Sequence, residues 1–247
     1  MNNPLTLEER LSVTQLLDHD LGTARAILVS QVLLQELSRN EHTANYALKR
    51  LKPELQKACM FHIWEIIDSV GILTNDGYSS SRPIDQEYFE TELAQLKLMF
   101  GLRRVSKEAE IQYASNITGK FNSYEPLLYS VLYNLVKNSL GATKQKGKIR
   151  LTVTNYSGSV QNPIFASNET PLEGDFVKLT VTDDGQGFPE DKSLKDFLNL
   201  GTTTKKAGTG FGLYYVGLVC KFLRGHLTID SKPGDTNVTI YHPLNLK

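Results

Sequence analysis

The sequence predicts an α+β chain: an N-terminal helical hairpin forming a dimeric four-helix bundle, followed by a domain of mixed helices and strands. Three observations predict it. No proline interrupts Leu7 to about Ser38, where apolar residues recur at three- and four-residue steps. Thr74 to Pro83 is rich in Ser, Asn, Gly and Pro and reads as a linker. Beyond it, Ile149–Asn155 and Phe176–Asp183 alternate and are β-branched, as half-buried strands are.

The first helix begins at the capping box Thr6-Leu7-Glu8-Glu9. Its stripe includes Leu17, Leu21, Ala24 and Leu28, with Ile27, Leu34 and Leu37 beside it. Arg39 to His42 is a polar break, and a second helix runs from about Thr43 to Val70, with Pro53 kinking or breaking its first third. Two such helices cannot bury their apolar faces alone, and pairing with a second copy solves that. The expected division is 1–73 hairpin, 74–83 linker and 84–247 mixed domain. In the last of these, Leu93–Arg103, Tyr124–Leu140 and Leu213–Leu223 are predicted helical and Glu110–Ile117 extended. Ser157–Gly174 reads as a polar loop or long hairpin, and His226–Ser231 and Asn237–His242 as strands turned at Pro233-Gly234-Asp235.

Bulk properties exclude several roles. Lysine and arginine number 27 against 27 aspartates and glutamates, so a chain-wide nucleic-acid footprint is not expected. Cys59 and Cys220 have no paired spacing and read as core thiols in a reducing compartment. No signal pattern or membrane-length apolar run is present, so the protein is expected to be soluble and cytoplasmic.

Three segments carry chemistry. In NLVKNSLGAT, Asn134 and Asn138 are one helical turn apart and share a face. A carboxamide oxygen suits Mg²⁺ already held by a triphosphate, and Lys137 is expected to reach a phosphate. Taken alone, this segment reads equally well as an amphipathic helix with solvated asparagines. In VTDDGQGFP, Asp183 ends a strand, and Gly185 and Gly187 turn the chain and permit close backbone approach. Alone, this is an ordinary Asp-Gly turn. In GTTTKKAGTGFGLYYV, Gly208, Thr209, Gly210 and Gly212 precede the helix at Leu213, so glycine amides and a helix N-terminus form a phosphate cradle. Thr202, Thr203, Thr204 and Lys205 add hydroxyls and a cation. No strand leads directly into these glycines, which excludes a Rossmann site.

The ordered set resembles the GHKL (Bergerat) ATP-binding domain of type II topoisomerases, MutL-like ATPases, heat-shock chaperones and histidine kinases. The resemblance implies an α/β sandwich and ATP with Mg²⁺ as cofactors. It also implies Asn138 as metal ligand, and Asp183 as acceptor of the adenine amino hydrogen bond. The stretch from about Phe188 to Ala207 becomes a mobile lid over ATP. Hydrolysing relatives carry a glutamate base one turn before the metal asparagine. Here that position is Asn134, and an amide cannot take a proton at neutral pH. The pattern therefore points to transfer onto a separate nucleophile.

That nucleophile is sought in the N-terminal helices, which hold His19, His42 and His62. Leu17-Asp18-His19-Asp20-Leu21-Gly22-Thr23 resembles the phosphoacceptor box of histidine kinases. There Asp20 would accept the imidazole proton, and Thr23 would help orient a water for dephosphorylating the partner. The family box has arginine and proline where this chain has Gly22 and Ala24. The resemblance thus implies a two-component sensor histidine kinase core, homodimeric through its N-terminal helices. It would pass phosphate to an aspartate of a response-regulator receiver domain and could also act as that regulator's phosphatase. Only about a dozen residues precede His19 in its helix, so no sensor domain is expected here: either a separate sensor protein delivers the signal, or the chain is truncated or constitutively acting. The alternatives are a phosphotransfer scaffold with a vestigial ATP domain, an ATP-driven conformational clamp and a protein-serine kinase.

Overall fold

A computed structural model describes residues 81–102, 109–199, 201–203 and 210–244. The predicted hairpin, most of the linker, Cys59, His19, Asp20 and Thr23 lie outside the described residues, as do Thr204, Lys205, Gly208 and Thr209.

The described chain starts with strand β1 (Arg82–Ile84), which antiparallel pairing with β3 (Phe121–Ser123) draws out of the residues read as linker. Helix α1 (Gln86–Leu102) lies between them with β2 (Glu110–Asn116). Helix α2 (Glu125–Ala142) follows, then β4 (Lys148–Ser159), β5 (Phe165–Ala166) and β6 (Glu173–Asp183). A 3₁₀ turn (Leu194–Leu198), helix α3 (Phe211–Phe222), β7 (His226–Lys232) and β8 (Asp235–Pro243) complete it.

Six strands form one mixed sheet in the order β2-β4-β6-β8-β7-β5. Only β2 and β4 run parallel. Period-two alternation turns Ile149, Leu151 and Val153 of β4, Val177, Leu179 and Val181 of β6, and Val238 and Ile240 of β8 into one core. The helices cover that face, so this is an α/β sandwich. The opposite face is hydroxyl-rich: Thr180 and Thr239 meet at 3.0 Å, and Thr182 donates to Asn237 at 2.7 Å. Residues 157–174 are chiefly a long hairpin, with β4 and β6 in register out to Ser159 and Glu173.

Helix α2 is the spine of the helical layer. Pro126 sits in its first turn, where the missing N–H costs nothing, and Glu125 meets the positive end of the helix dipole. Nearly every residue from Pro126 to Leu140 is buried, because the sheet lies on one side and α3 on another. Cys220 is wholly buried in α3, where burial pushes its thiol up, so it is a core thiol as expected.

Two buried histidines tie distant segments together. His242 Nε2 and Ser123 Oγ are 2.8 Å apart, linking the small sheet to β8. His226 accepts at Nδ1 from Ser167 N (3.3 Å) and donates from Nε2 to Pro171 O (3.0 Å), which holds the hairpin loop against β7. Among the described residues, no helix is long and apolar enough to cross a membrane.

Candidate nucleotide site

Asp183 closes β6 at the edge of the core and is 4% exposed. Its Oδ1 accepts from Gly185 N at 3.0 Å, and its Oδ2 accepts from Ser139 Oγ at 2.6 Å. The next aspartate faces the other way: Asp184 is exposed and uses Oδ1 to accept from Lys148 N at 2.8 Å. Strand alternation decides which carboxylate enters the core and which pins the turn.

The turn is built against α2. Gln186 N donates to Ala142 O at 3.3 Å, and Gly234 N donates to Gly185 O at 2.8 Å. A Cβ on Gly185 would lie 2.7 Å from the Ala142 carbonyl carbon, so nothing larger than glycine fits. Gly187 has φ +74°, the left-handed region that glycine enters without steric penalty. Phe188 N then donates to Ser231 Oγ at 2.9 Å.

One turn along α2, the two asparagines meet the start of α3. Asn134 is buried, and its Nδ2 donates back to Ser130 O at 2.9 Å. Its Oδ1 is directed toward Gly212, where a Cβ would sit 3.5 Å away. The same Cβ would be 3.2 Å from both Nδ2 and Oδ1 of the half-buried Asn138. Gly210 caps α3 with φ +72°, and a Cβ on it would lie 2.5 Å from Thr202 N. Gly201 and Thr202 therefore lie against the N-terminus of α3. Leu213 is buried behind it, and Thr203 is half-buried at the edge of the described loop. Lys137, on the same turn, has its Nζ over the Tyr133 ring, 5.7 Å from the centroid.

Asn134, Asn138 and Gly212 thus meet at one place, Gly201, Thr202 and Gly210 at a second, and Asp183, Gly185 and Ser139 at a third. All three adjoin the C-terminal half of α2 or the start of α3. The segment expected to be a lid is anchored in its first half. Phe197 in the 3₁₀ turn is 3% exposed, and its neighbour Leu198 lies against α3, where a Cβ on Gly217 would sit 3.4 Å from Leu198 Cδ2. Sequence reasoning missed Ser139. The available signal was a lone hydroxyl among Leu132, Leu135, Val136 and Leu140 on the apolar stripe of α2.

The donor set suits an adenine nucleotide. A buried carboxylate offers acceptors only, neutral carboxamides offer hard oxygen to a divalent cation, and glycines leave a space that a Cβ would fill. Among the described residues, no three His, Cys, Asp or Glu side chains group to hold a metal unaided.

Residues 123–246 match the family described as histidine kinase-, DNA gyrase B-, and HSP90-like ATPase. The sensory histidine kinase/phosphatase NtrB of Rhodobacter capsulatus is 32% identical over 118 residues, covering 47% of this chain and 32% of that protein. The signal transduction histidine-protein kinase AtoS of Escherichia coli is 26% identical over 186 residues, covering 72% and 28%. The chain therefore spans about a third of the length of these curated relatives. Among solved structures, the catalytic domain of histidine kinase ThkA superposes with TM-score 0.50 at 17% identity, over 67% of this chain and 96% of that one. Full-length ShkA in complex with AMPPNP gives 0.53 at 18% identity, over 98% and 47%. At such identities the structural likeness speaks for the fold.

Proposed function

This chain belongs to the histidine kinase-, DNA gyrase B- and HSP90-like ATPase family, and on that premise we propose that it is an ATP-dependent protein-histidine kinase core. In this reading it phosphorylates His19 and passes the phosphoryl group to a receiver-domain aspartate of a response regulator. The observation that carries the proposal is Asn134. It lies one turn before Asn138, buried and hydrogen-bonded to Ser130 O, where a hydrolytic site needs a carboxylate base. With an amide there, the pocket can position ATP without activating water, which favours a protein acceptor. The named histidine kinase relatives support the same choice.

The roles follow from chemistry. Asp183 accepts a hydrogen bond from the adenine amino group, and guanine, with a carbonyl there, would set acceptor against acceptor. Asn138 gives its oxygen to Mg²⁺, and Asn134 packs beside it. Gly208, Thr209, Gly210, Gly212 and Leu213 form the phosphate-facing turn, with Thr203, Thr204 and Lys205 at its mouth. Bound MgATP supplies the transferable γ-phosphoryl group. Asp20 takes the proton from His19, and Thr23 orients a water that attacks the regulator's aspartyl phosphate and releases inorganic phosphate. The domain division (1–73, 74–83 and 84–247), homodimerisation through the first part and a cytoplasmic location belong to the same proposal.

Incubation with γ-labelled ATP tests it. The wild type is expected to take up acid-labile phosphate, and His19→Gln and Asn138→Asp are expected to abolish it. Acid-labile label persisting in His19→Gln would reject His19 as acceptor. Nucleotide binding with no labelling would favour a scaffold or clamp.

A further inference from the structure

The Ser139–Asp183 contact goes beyond the roles just given. Ser139 is 4% exposed, in the last turns of α2, and 44 residues from Asp183 in the chain. Its hydroxyl has one proton, and at 2.6 Å that proton goes to Oδ2, because an ionised carboxylate can only accept. The distance is that of a charge-assisted bond. On the other oxygen, Gly185 N donates to Oδ1 at 3.0 Å. A donor on each oxygen fixes the plane of the carboxylate and so sets the directions of its lone pairs.

Both donors are themselves held. Gly185 is wedged against Ala142 of the same helix, and its carbonyl accepts from Gly234 N at 2.8 Å. Ser139 sits on a fully helical, buried backbone directly after Asn138. A step of one residue turns the helix by about 100°, so Asn138 faces Gly212 while Ser139 faces Asp183. One helical turn thus bears on both ends of the site.

We propose that Ser139 is a positioning residue that sets the preference of this pocket for a 6-amino over a 6-oxo purine, by holding Asp183 as an oriented acceptor. The proposal rests on reading the pocket as an adenine-nucleotide site. An oriented acceptor rewards an exocyclic amino group and opposes a carbonyl. Released from Ser139, the carboxylate can rotate or take up a proton, and a protonated Asp183 can donate to a carbonyl.

Calorimetric titration of the full chain with MgATP and with MgGTP tests this on Ser139→Ala and Ser139→Cys. The cysteine variant keeps nearly the same volume with a weaker donor. Loss of one bond to a charged group predicts about tenfold weaker ATP binding by Ser139→Ala. GTP binding should change by less than about twofold, with the cysteine variant intermediate. The ratio of the two affinities is the decisive reading, because a merely structural serine would weaken both nucleotides together. A ratio unchanged in both variants overturns the proposal while leaving the ATP reading intact. A wild type that binds no ATP overturns both. If the alanine variant does not fold, the ratio in the cysteine variant decides.

Discussion

Gly212 lies against the carboxamide of Asn138, so close that a Cβ there would sit 3.2 Å from both Nδ2 and Oδ1. The first turn of α3 can approach α2 at this point because the side chain is missing. Two opposite effects therefore act on Gly212→Ala. Helix propensity favours alanine by about 1 kcal/mol, while Asn138 must swing away by a few tenths of an ångström. The expected outcome is a melting temperature within a few degrees of wild type and MgATP affinity about tenfold weaker. Parallel thermal denaturation and calorimetry would separate the two. Unchanged affinity would show that Asn138 need not hold this position.

Asp183→Asn should change the sense of recognition more than the stability of the fold. Gly185 N still requires an oxygen at the Oδ1 position, so the new amide nitrogen takes the place of Oδ2. That puts a donor where the ionised carboxylate had an acceptor. ATP binding is expected to fall by at least about 100-fold, with GTP affected less. Competition between the two nucleotides for the variant checks this, and retained ATP preference would contradict it.

Gly185 and Gly201 are glycines for different reasons, and alanine should tell them apart. At Gly185 a Cβ meets the Ala142 backbone at 2.7 Å, whereas at Gly201 none of the described residues lies within 4 Å and the φ of +81° is what is unfavourable. Gly185→Ala should cost about 3 kcal/mol as overpacking, and Gly201→Ala about 1 kcal/mol as a left-handed residue. Chemical denaturation of both variants measures the difference. Equal costs would show that the turn shifts freely away from α2.

His242 should make the fold acid-sensitive. It is fully buried, and desolvation depresses its pKa from 6.5 to about 4. Between those values the unfolded chain binds the proton and the folded chain does not, so stability rises with pH across the window. It is fully present above about pH 6.5 and is lost as pH falls toward 4, by up to roughly 3 kcal/mol. Among the described residues, its ring meets Ser123, Phe121 and the Pro243 carbonyl. His242→Gln should flatten the pH dependence of the unfolding free energy between pH 4.5 and 6.5, relative to wild type. An identical slope would assign the acid sensitivity to other groups.

Much of the described domain was legible from local signals. Alternating β-branched runs marked β4 and β6, and the Pro-Gly-Asp turn separated β7 from β8. Apolar periodicity marked α2, with its end only two residues past the predicted one. Strand β1 was hidden in a linker-like stretch because it is a strand only by pairing with β3, which local composition does not report. The first half of the expected lid proved packed on the domain, because Phe188 N reaches Ser231 and Leu198 lies against α3 at Gly217, and nothing in Ser193–Leu198 says so.

The site divides the same way. Sequence alone determined which residue types stand at each motif: two asparagines one turn apart, an aspartate before a glycine turn, and a glycine-capped helix. Those are properties of spacing along a helix or around a turn. Only the tertiary structure decided that Gly212 meets Asn138 and that Ser139 holds Asp183. Periodicity states which face of an element is buried but not what it is buried against. That depends on sheet register and on how closely two helices approach, and here glycines at 185 and 212 set the approach.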